Sequence, residues 1–164
     1  MPWPPVLSLT GKTSPGAELL LPKGCEVVPL DTALLADVRR VDEEVIGLDR
    51  TVDRVYLLSA EAARQGWVLY SDGQPEGYVF AGEKGIMGGE SASGRDRALI
   101  RFVLARLVDR GVETAYAAVP EPNAEAQRTL LKAGLVHDAV PGLLLTSRPF
   151  GKFDRYVIAD RGLM

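Results

Sequence analysis

The feature that most constrains this chain is an apolar stripe that runs directly into an alternating segment. Ile100, Val103, Leu104, Leu107 and Val108 recur at i, i+3, i+4, i+7 and i+8, Gly111 interrupts them, and residues 112–119 then alternate. The stripe predicts a helix beginning near Ser93 with one buried face, and the alternation predicts a strand. A helix with a single apolar face has to lay it on a second layer, and the adjoining strand identifies that layer as a sheet. A helix-on-sheet architecture follows before any other part of the chain is read.

The remaining segments fit that frame. Residues 25–30 form a short apolar strand ending at Asp31 and Thr32, either of which can cap a helix carrying Leu34, Leu35, Val38, Val41 and Val45. A second helix is expected from Asp49 or Thr51, through Val52, Val55, Leu58 and Ala62, to Gly66. Residues 67–71 and 77–81 flank Asp72-Gly73, a strong hairpin signal, and residues 85–88 read as a brief further strand. Asn123 caps a helix with Ala126, Leu130 and Leu131 inward and Gly134 at its end, and residues 135–146 and 155–159 read as two closing strands. This order favours an α/β fold with a mixed central sheet flanked by helices over a regularly alternating doubly wound one. Residues 1–24, with five prolines and no sustained period, read as a Pro/Gly-rich tail or linker, which leaves 25–164 as one domain.

Charge and residue inventory remove several functions. Lys plus Arg number 19 against 22 Asp plus Glu, a net charge of −3, which gives no bulk attraction to a nucleic-acid backbone. One cysteine, Cys25, and one histidine, His137, support neither a disulfide framework nor a His/Cys zinc site, and no acidic calcium-loop motif occurs, so no metal is expected. No signal-length apolar segment and no stretch of about 18 uncharged apolar residues is present, which makes the expected setting cytoplasmic and away from membranes.

Chemistry is concentrated around residues 85–97, GIMGGESASGRDR, a loop rich in Gly and Ser leading into the strongest helix. Backbone N–H groups and the positive end of a helix dipole suit such a loop to an anion. Its alternative is a surface turn capped by Ser93. The Gly89-x4-Gly94 spacing imitates a nucleotide P-loop, but Arg95 and Asp96 stand where lysine and a magnesium-binding hydroxyl are needed, which excludes nucleotide hydrolysis. Among carboxylates able to act as a base, Asp42, Glu43 and Glu44 at the end of the first helix and Glu90 in the loop are the candidates, with Glu44 and Glu90 preferred and a solvated surface charge as the alternative for each.

Residues 119–135, VPEPNAEAQRTLLKAGL, present a strand exit, N-x-x-A, and a helix closing on Gly-Leu. With Ala98-Leu99 and Gly111 upstream, this resembles the GNAT N-acetyltransferase superfamily. It is similar more narrowly, at residues 45–50, 73–80 and 119–123, to the C-terminal GNAT-like domain of bacterial two-domain acetyltransferases. The resemblance implies an acyl-CoA-dependent N-acyltransferase acting on a small-molecule amine, with acetyl-CoA as co-substrate, and allows a homodimer. It further implies coenzyme contacts at Met87, Gly88, Gly89, Ser93, Gly94, Arg95 and Asn123, with Glu44 or Glu90 as base. Two positions depart from the pattern: Asp96 stands where the pyrophosphate loop has a small residue, and Leu130 where a tyrosine protonates the leaving thiolate. Both favour the alternative of a catalytically silent module that binds a ligand or a partner.

Overall fold

The computed structural model describes residues 4–13, 21–143 and 150–158. In chain order the elements are β1 (Pro5–Lys12), β2 (Cys25–Pro29), a 3-10 turn (Thr32–Leu34), α1 (Leu35–Val45), α2 (Thr51–Leu57), β3 (Gln65–Ser71), β4 (Gln74–Ala81) and β5 (Ile86–Ser91). They continue with α3 (Asp96–Asp109), β6 (Thr114–Pro120), α4 (Ala124–Lys132), β7 (Val136–His137), β8 (Gly142–Leu143) and β9 (Tyr156–Val157). The strands pair as β2-β3-β4-β5-β9 and as β6-β1-β7, with β8 also on β1, every ladder being antiparallel. The one parallel bridge among the described residues joins Gly85 to Tyr116. The α/β class with a central sheet between helices is therefore as the sequence predicts.

Strand alternation sends side chains into two cores. Leu69, Val79, Ile86, Ala117 and Val119 meet Leu99, Ile100, Val103 and Leu107 of α3 and Ala126 and Leu130 of α4. On the other face Val68, Tyr78, Phe80 and Ala118 meet Val38, Val41 and Val45 of α1, together with Leu57 of α2. Helices thus cover both faces of the sheet, and each core is built from strand residues one position out of phase with the other. The hairpin at Asp72-Gly73 forms as expected, with both residues at positive φ (48° and 76°), the backbone a two-residue primed turn requires.

Four expectations need correction. Residues 5–12 are not tail: β1 pairs along β6 from Val6 opposite Pro120 to Lys12 opposite Thr114, and Leu9 is fully buried. The prolines obscure this strand because Pro5 sits at its first residue, where no ladder N–H is needed. Residues 1–3 and 14–20 of the expected tail, and 144–146 and 159 of the expected closing strands, lie outside the described residues. Second, α2 ends at Leu57 instead of running to Gly66, because Gln65 and Gly66 already belong to β3. Third, α2 turns Arg54 and Leu57 inward and leaves Val52 and Val55 outside, the reverse of its apolar pattern. Fourth, α3 begins at Asp96, three residues after Ser93, and Leu131 of α4 is exposed beside the buried Leu130.

Candidate functional site

Among the described residues, neighbouring strands part between β5 and β6. β5 and β6 run parallel and touch at Gly85 and Tyr116, where the Tyr116 N–H donates to the Lys84 carbonyl at 2.9 Å. A Cβ on Gly85 would lie 2.0 Å from the Tyr116 oxygen, so only glycine permits this approach. Beyond it the strands diverge, and a divergence between parallel strands is where α/β sheets take ligands. β5 is also kinked there: the register with β4 shifts between Val79 and Ala81, and Gly88 takes φ 108°, as expected for a bulge beside a site.

The chain's own C-terminal segment stands in that opening. Gly89 pairs with Val157 and Glu90 with Tyr156, while Ile158 bridges to Ala118 of β6 and donates its N–H to the Ala118 carbonyl at 2.9 Å. The Ser91 N–H donates to the Arg155 carbonyl at 2.9 Å, and the Arg155 guanidinium donates to the Ala92 carbonyl. Val157 enters the core under α3 and α4, Ile158 the core under α1 and α2. β9 and the bridge at Ile158 therefore join the two sets of strands, with Val157 and Ile158 buried in opposite cores.

Four amides of the loop ahead of α3 are bonded within the chain. Those at Ser91, Ala92, Gly94 and Arg95 donate to Arg155, Glu76, the Ser91 carbonyl and Ser91 Oγ respectively. Arg95 points its Nη1 at Cys25 Sγ (2.6 Å) and Ser71 Oγ (2.8 Å), towards β2 and β3. Ser93 and Gly94 are exposed, and Met87 is half-buried against the α1–α2 core. At the head of α3 the buried Asp96 carboxyl hydrogen-bonds with Asn123, and its Oδ2 has no hydrogen-bond partner among the described residues. Burial pushes its pKa up to about 7, reinforced by Asp154 and Glu125 and opposed by the Asn123 bond and Arg155. Asn123 Oδ1 accepts from the Ala126 N–H at 3.0 Å and so caps α4, as its sequence position predicts. A carboxyl buried at the head of α3 and an opening taken by β9 are a poor fit to the pyrophosphate and pantetheine of acetyl-CoA.

A second polar group lies beneath β5. Arg54 Nη2 donates to Asp42 Oδ1 (2.7 Å), to Glu90 Oε1 (3.1 Å) and to Tyr78 Oη, and Tyr78 Oη donates to Asp42 Oδ1 at 2.6 Å. All four side chains are buried, and Arg50 Nη1 stands 3.8 Å from Glu90 Oε1. Burial raises the Glu90 pKa to about 8, with Asp42 adding to the shift and Arg54, Tyr78 and Arg50 opposing it. Burial alone would lower the Arg54 pKa, but Tyr78, Asp42 and Glu90 outweigh it and the guanidinium stays charged. Glu44 is not part of this group. It lies on the exposed side of α1, 4.0 Å from Lys152 Nζ, and α1 presents Asp42 to Arg54 instead. Sequence reasoning finds Glu90 through its loop but gives no sign of Arg54, an arginine inside an apolar repeat. Leu130 is fully buried in the α3–α4 core, and His137 is exposed on β7. Among the described residues no three His, Cys, Asp or Glu side chains gather as metal ligands, and no helix is long and apolar enough to cross a membrane.

No protein-family model matches this sequence, and no curated protein matches it significantly. Solved structures do match. A Pyrococcus horikoshii protein provisionally named an acetyltransferase aligns with a TM-score of 0.69 at 16% identity, covering 98% of this chain and 52% of its own. A GCN5-related N-acetyltransferase from Sphaerobacter thermophilus gives 0.63 at 16% identity over 96% and 51%. A tandem GNAT protein from the clavulanic acid biosynthesis pathway gives 0.51 at 14% identity over 94% and 52%. The chain thus spans about half the length of each. Across that half, the antiparallel strands and the four helices share the fold of these GNAT structures.

Proposed function

We propose that this chain is a GNAT-fold module that does not itself bind acyl-CoA and serves as a ligand- or partner-binding unit of acetyltransferase-type architecture. The observation that carries this reading is β9: the chain's own residues 155–158 take the opening between β5 and β6 where a ligand of this sheet would lie. Asp96 at the head of α3, the four loop amides bonded within the chain and the buried Leu130 support it independently. The half-length match to longer solved chains supports a module that works beside a second unit.

A second reading is N-acyl transfer by the chain itself, favoured by the Gly88 bulge beside a carboxyl whose pKa of about 8 suits a general base. On that reading an amine nitrogen attacks the acetyl-CoA thioester carbon, an amide forms, the C–S bond breaks, and the proton lost by the amine passes through Glu90 or water to the departing thiolate. Calorimetric titration of the purified chain with acetyl-CoA separates the two. The module reading predicts no binding heat, whereas a Kd at or below about 0.1 mM, with CoA release in the presence of amines, would establish acyl transfer.

A further inference from the structure

The opening between β5 and β6 already holds an occupant, and the way that occupant is held defines what the seat recognises. Residues 155–158 are bonded on both sides as extended backbone: Val157 and Tyr156 pair with Gly89 and Glu90 of β5, and the Ile158 N–H donates to the Ala118 carbonyl of β6 at 2.9 Å. Val157 and Ile158 are buried in opposite cores. The seat is therefore shaped for an extended peptide strand, with main-chain bonds supplying affinity and two apolar recesses selecting adjacent aliphatic residues.

Two features mark this occupant as exchangeable. No hairpin turn fixes it, because neither β5 nor β6 adjoins it in sequence. It enters instead from a turn in which the Arg155 N–H donates to the Lys152 carbonyl (3.0 Å), while the Lys152 N–H donates to the Val45 carbonyl at the end of α1 (2.7 Å). It also satisfies its surroundings incompletely. Glu90 Oε2 and Asp96 Oδ2, on side chains of residues only 2% and 3% exposed, have no hydrogen-bond partner among the described residues. Both adjoin the seat: Glu90 is the ladder partner of Tyr156, and Arg155 acts on Asp96 through space while donating to the Ala92 carbonyl. Buried acceptors left unmet beside a seated strand favour another strand that brings donors to them.

We propose that the opening between β5 and β6 is a docking site for an extended peptide segment of a partner protein, in which a basic residue stands two positions ahead of two adjacent aliphatic ones. The inference rests on the partner-binding reading above and names the ligand class of that same opening. Residues 155–158, Arg-Tyr-Val-Ile, are the internal stand-in. A partner strand makes the same backbone bonds, fills the same two recesses and carries its basic side chain to the Asp96 carboxyl, while the chain's own segment is released.

Fluorescence anisotropy with a labelled, capped peptide of residues 153–158 tests this on the full chain and on its Val157→Ser/Ile158→Ser variant, whose own segment holds the seat less firmly. The wild type should bind the peptide no tighter than about 1 mM, and the variant at least about tenfold tighter. A peptide carrying Val157→Ser and Ile158→Ser should bind neither protein, and one carrying Arg155→Ala should bind the variant at least about threefold more weakly than the unaltered peptide. A folded variant that binds no peptide at about 1 mM, or binds all three alike, overturns the proposal. Where the variant does not fold, amide exchange of the wild type decides. The Ser91 and Ile158 N–H groups should be at least about tenfold less protected than the Val103 N–H in the middle of α3, through opening of the segment alone, and equal protection overturns the proposal. Acetyl-CoA titrated into the same samples keeps the two readings separable: binding of both acetyl-CoA and peptide refutes the module reading alone, and binding of neither refutes the strand site alone.

Discussion

Replacing Glu90 by glutamine tests the buried polar group directly. The folded-state pKa of Glu90 stands at about 8 against an ordinary 4.5, so between those values the folded chain holds a proton that the unfolded chain has lost. Stability contributed by this group is complete below about pH 4.5, falls as pH rises, and is gone above about pH 8. Holding the carboxyl at about 8 instead of 4.5 corresponds to several kcal/mol at about 1.36 kcal/mol per pH unit, most of it lost between pH 5 and 8. Asp96 adds a slope of the same sign, from an ordinary 3.8 to about 7, so it acts at lower pH. A domain stable by about 5–15 kcal/mol would lose a large share of its margin across this range. Glu90→Gln keeps an oxygen for Arg54 and abolishes the titration. Urea unfolding followed by Trp67 fluorescence should show wild-type stability falling from pH 5 to pH 8.5. In the variant the slope above pH 7 should vanish, and the variant should be the more stable protein at pH 8.5. A wild type whose stability is flat or rises over this range, or a variant that retains the slope above pH 7, would refute the argument.

Three further outcomes follow from the packing. Arg54→Met removes the cation that Asp42 and Glu90 share and should cost about 3–5 kcal/mol in urea unfolding at pH 7, far more than Glu90→Gln. Leu9→Ala should cost about 2–5 kcal/mol, and deletion of residues 1–12 should give insoluble or unfolded protein, since Leu9 is fully buried and β1 holds β6 and β7 together. Asn123→Ala should lower stability by about 1 kcal/mol through loss of the α4 cap, and more if the Asp96 carboxyl loses its hydrogen bond as well, with circular dichroism reporting the melting point.

The elements legible in the sequence are those whose local chemistry and tertiary environment agree. The stripe from Ile100 to Leu107, the Asp72-Gly73 turn and the Asn123 cap each state their structure within a few residues, and the structure follows them. The illegible parts are decided by distant partners. β1 opens on a proline within a proline-rich stretch, and it is a central strand only because β6, more than a hundred residues later, pairs along it. Arg54 points inward against the apolar pattern of α2 because Asp42 and Glu90 are buried and need a guanidinium. Of the candidate site, Glu90, Asp96 and Asn123 stand at the edges of one parted pair of strands, whereas Glu44 lies outside it; β9 falls within the closing strand read at 155–159, but its place in the gap is set by Gly89, Glu90 and Ala118, which the sequence does not signal.

That occupancy follows from a requirement of the fold. Where β5 and β6 part, the Ser91 amide and the Ala118 carbonyl need partners, and both cores are open at the same level. A ligand can supply the partners, but here the carbonyl of Arg155 and the amide of Ile158 do so while Val157 and Ile158 close one core each. Displacing the segment would expose two buried aliphatic side chains, about 1.5–3 kcal/mol each, and break two hydrogen bonds of about 1 kcal/mol net each. The total of about 5–8 kcal/mol lowers the affinity of any competing ligand by at least about 10³-fold. A ligand of micromolar intrinsic affinity would bind the closed sheet no tighter than about 1 mM, so on the module reading the displacement of residues 155–158 is what any ligand of this opening has to overcome.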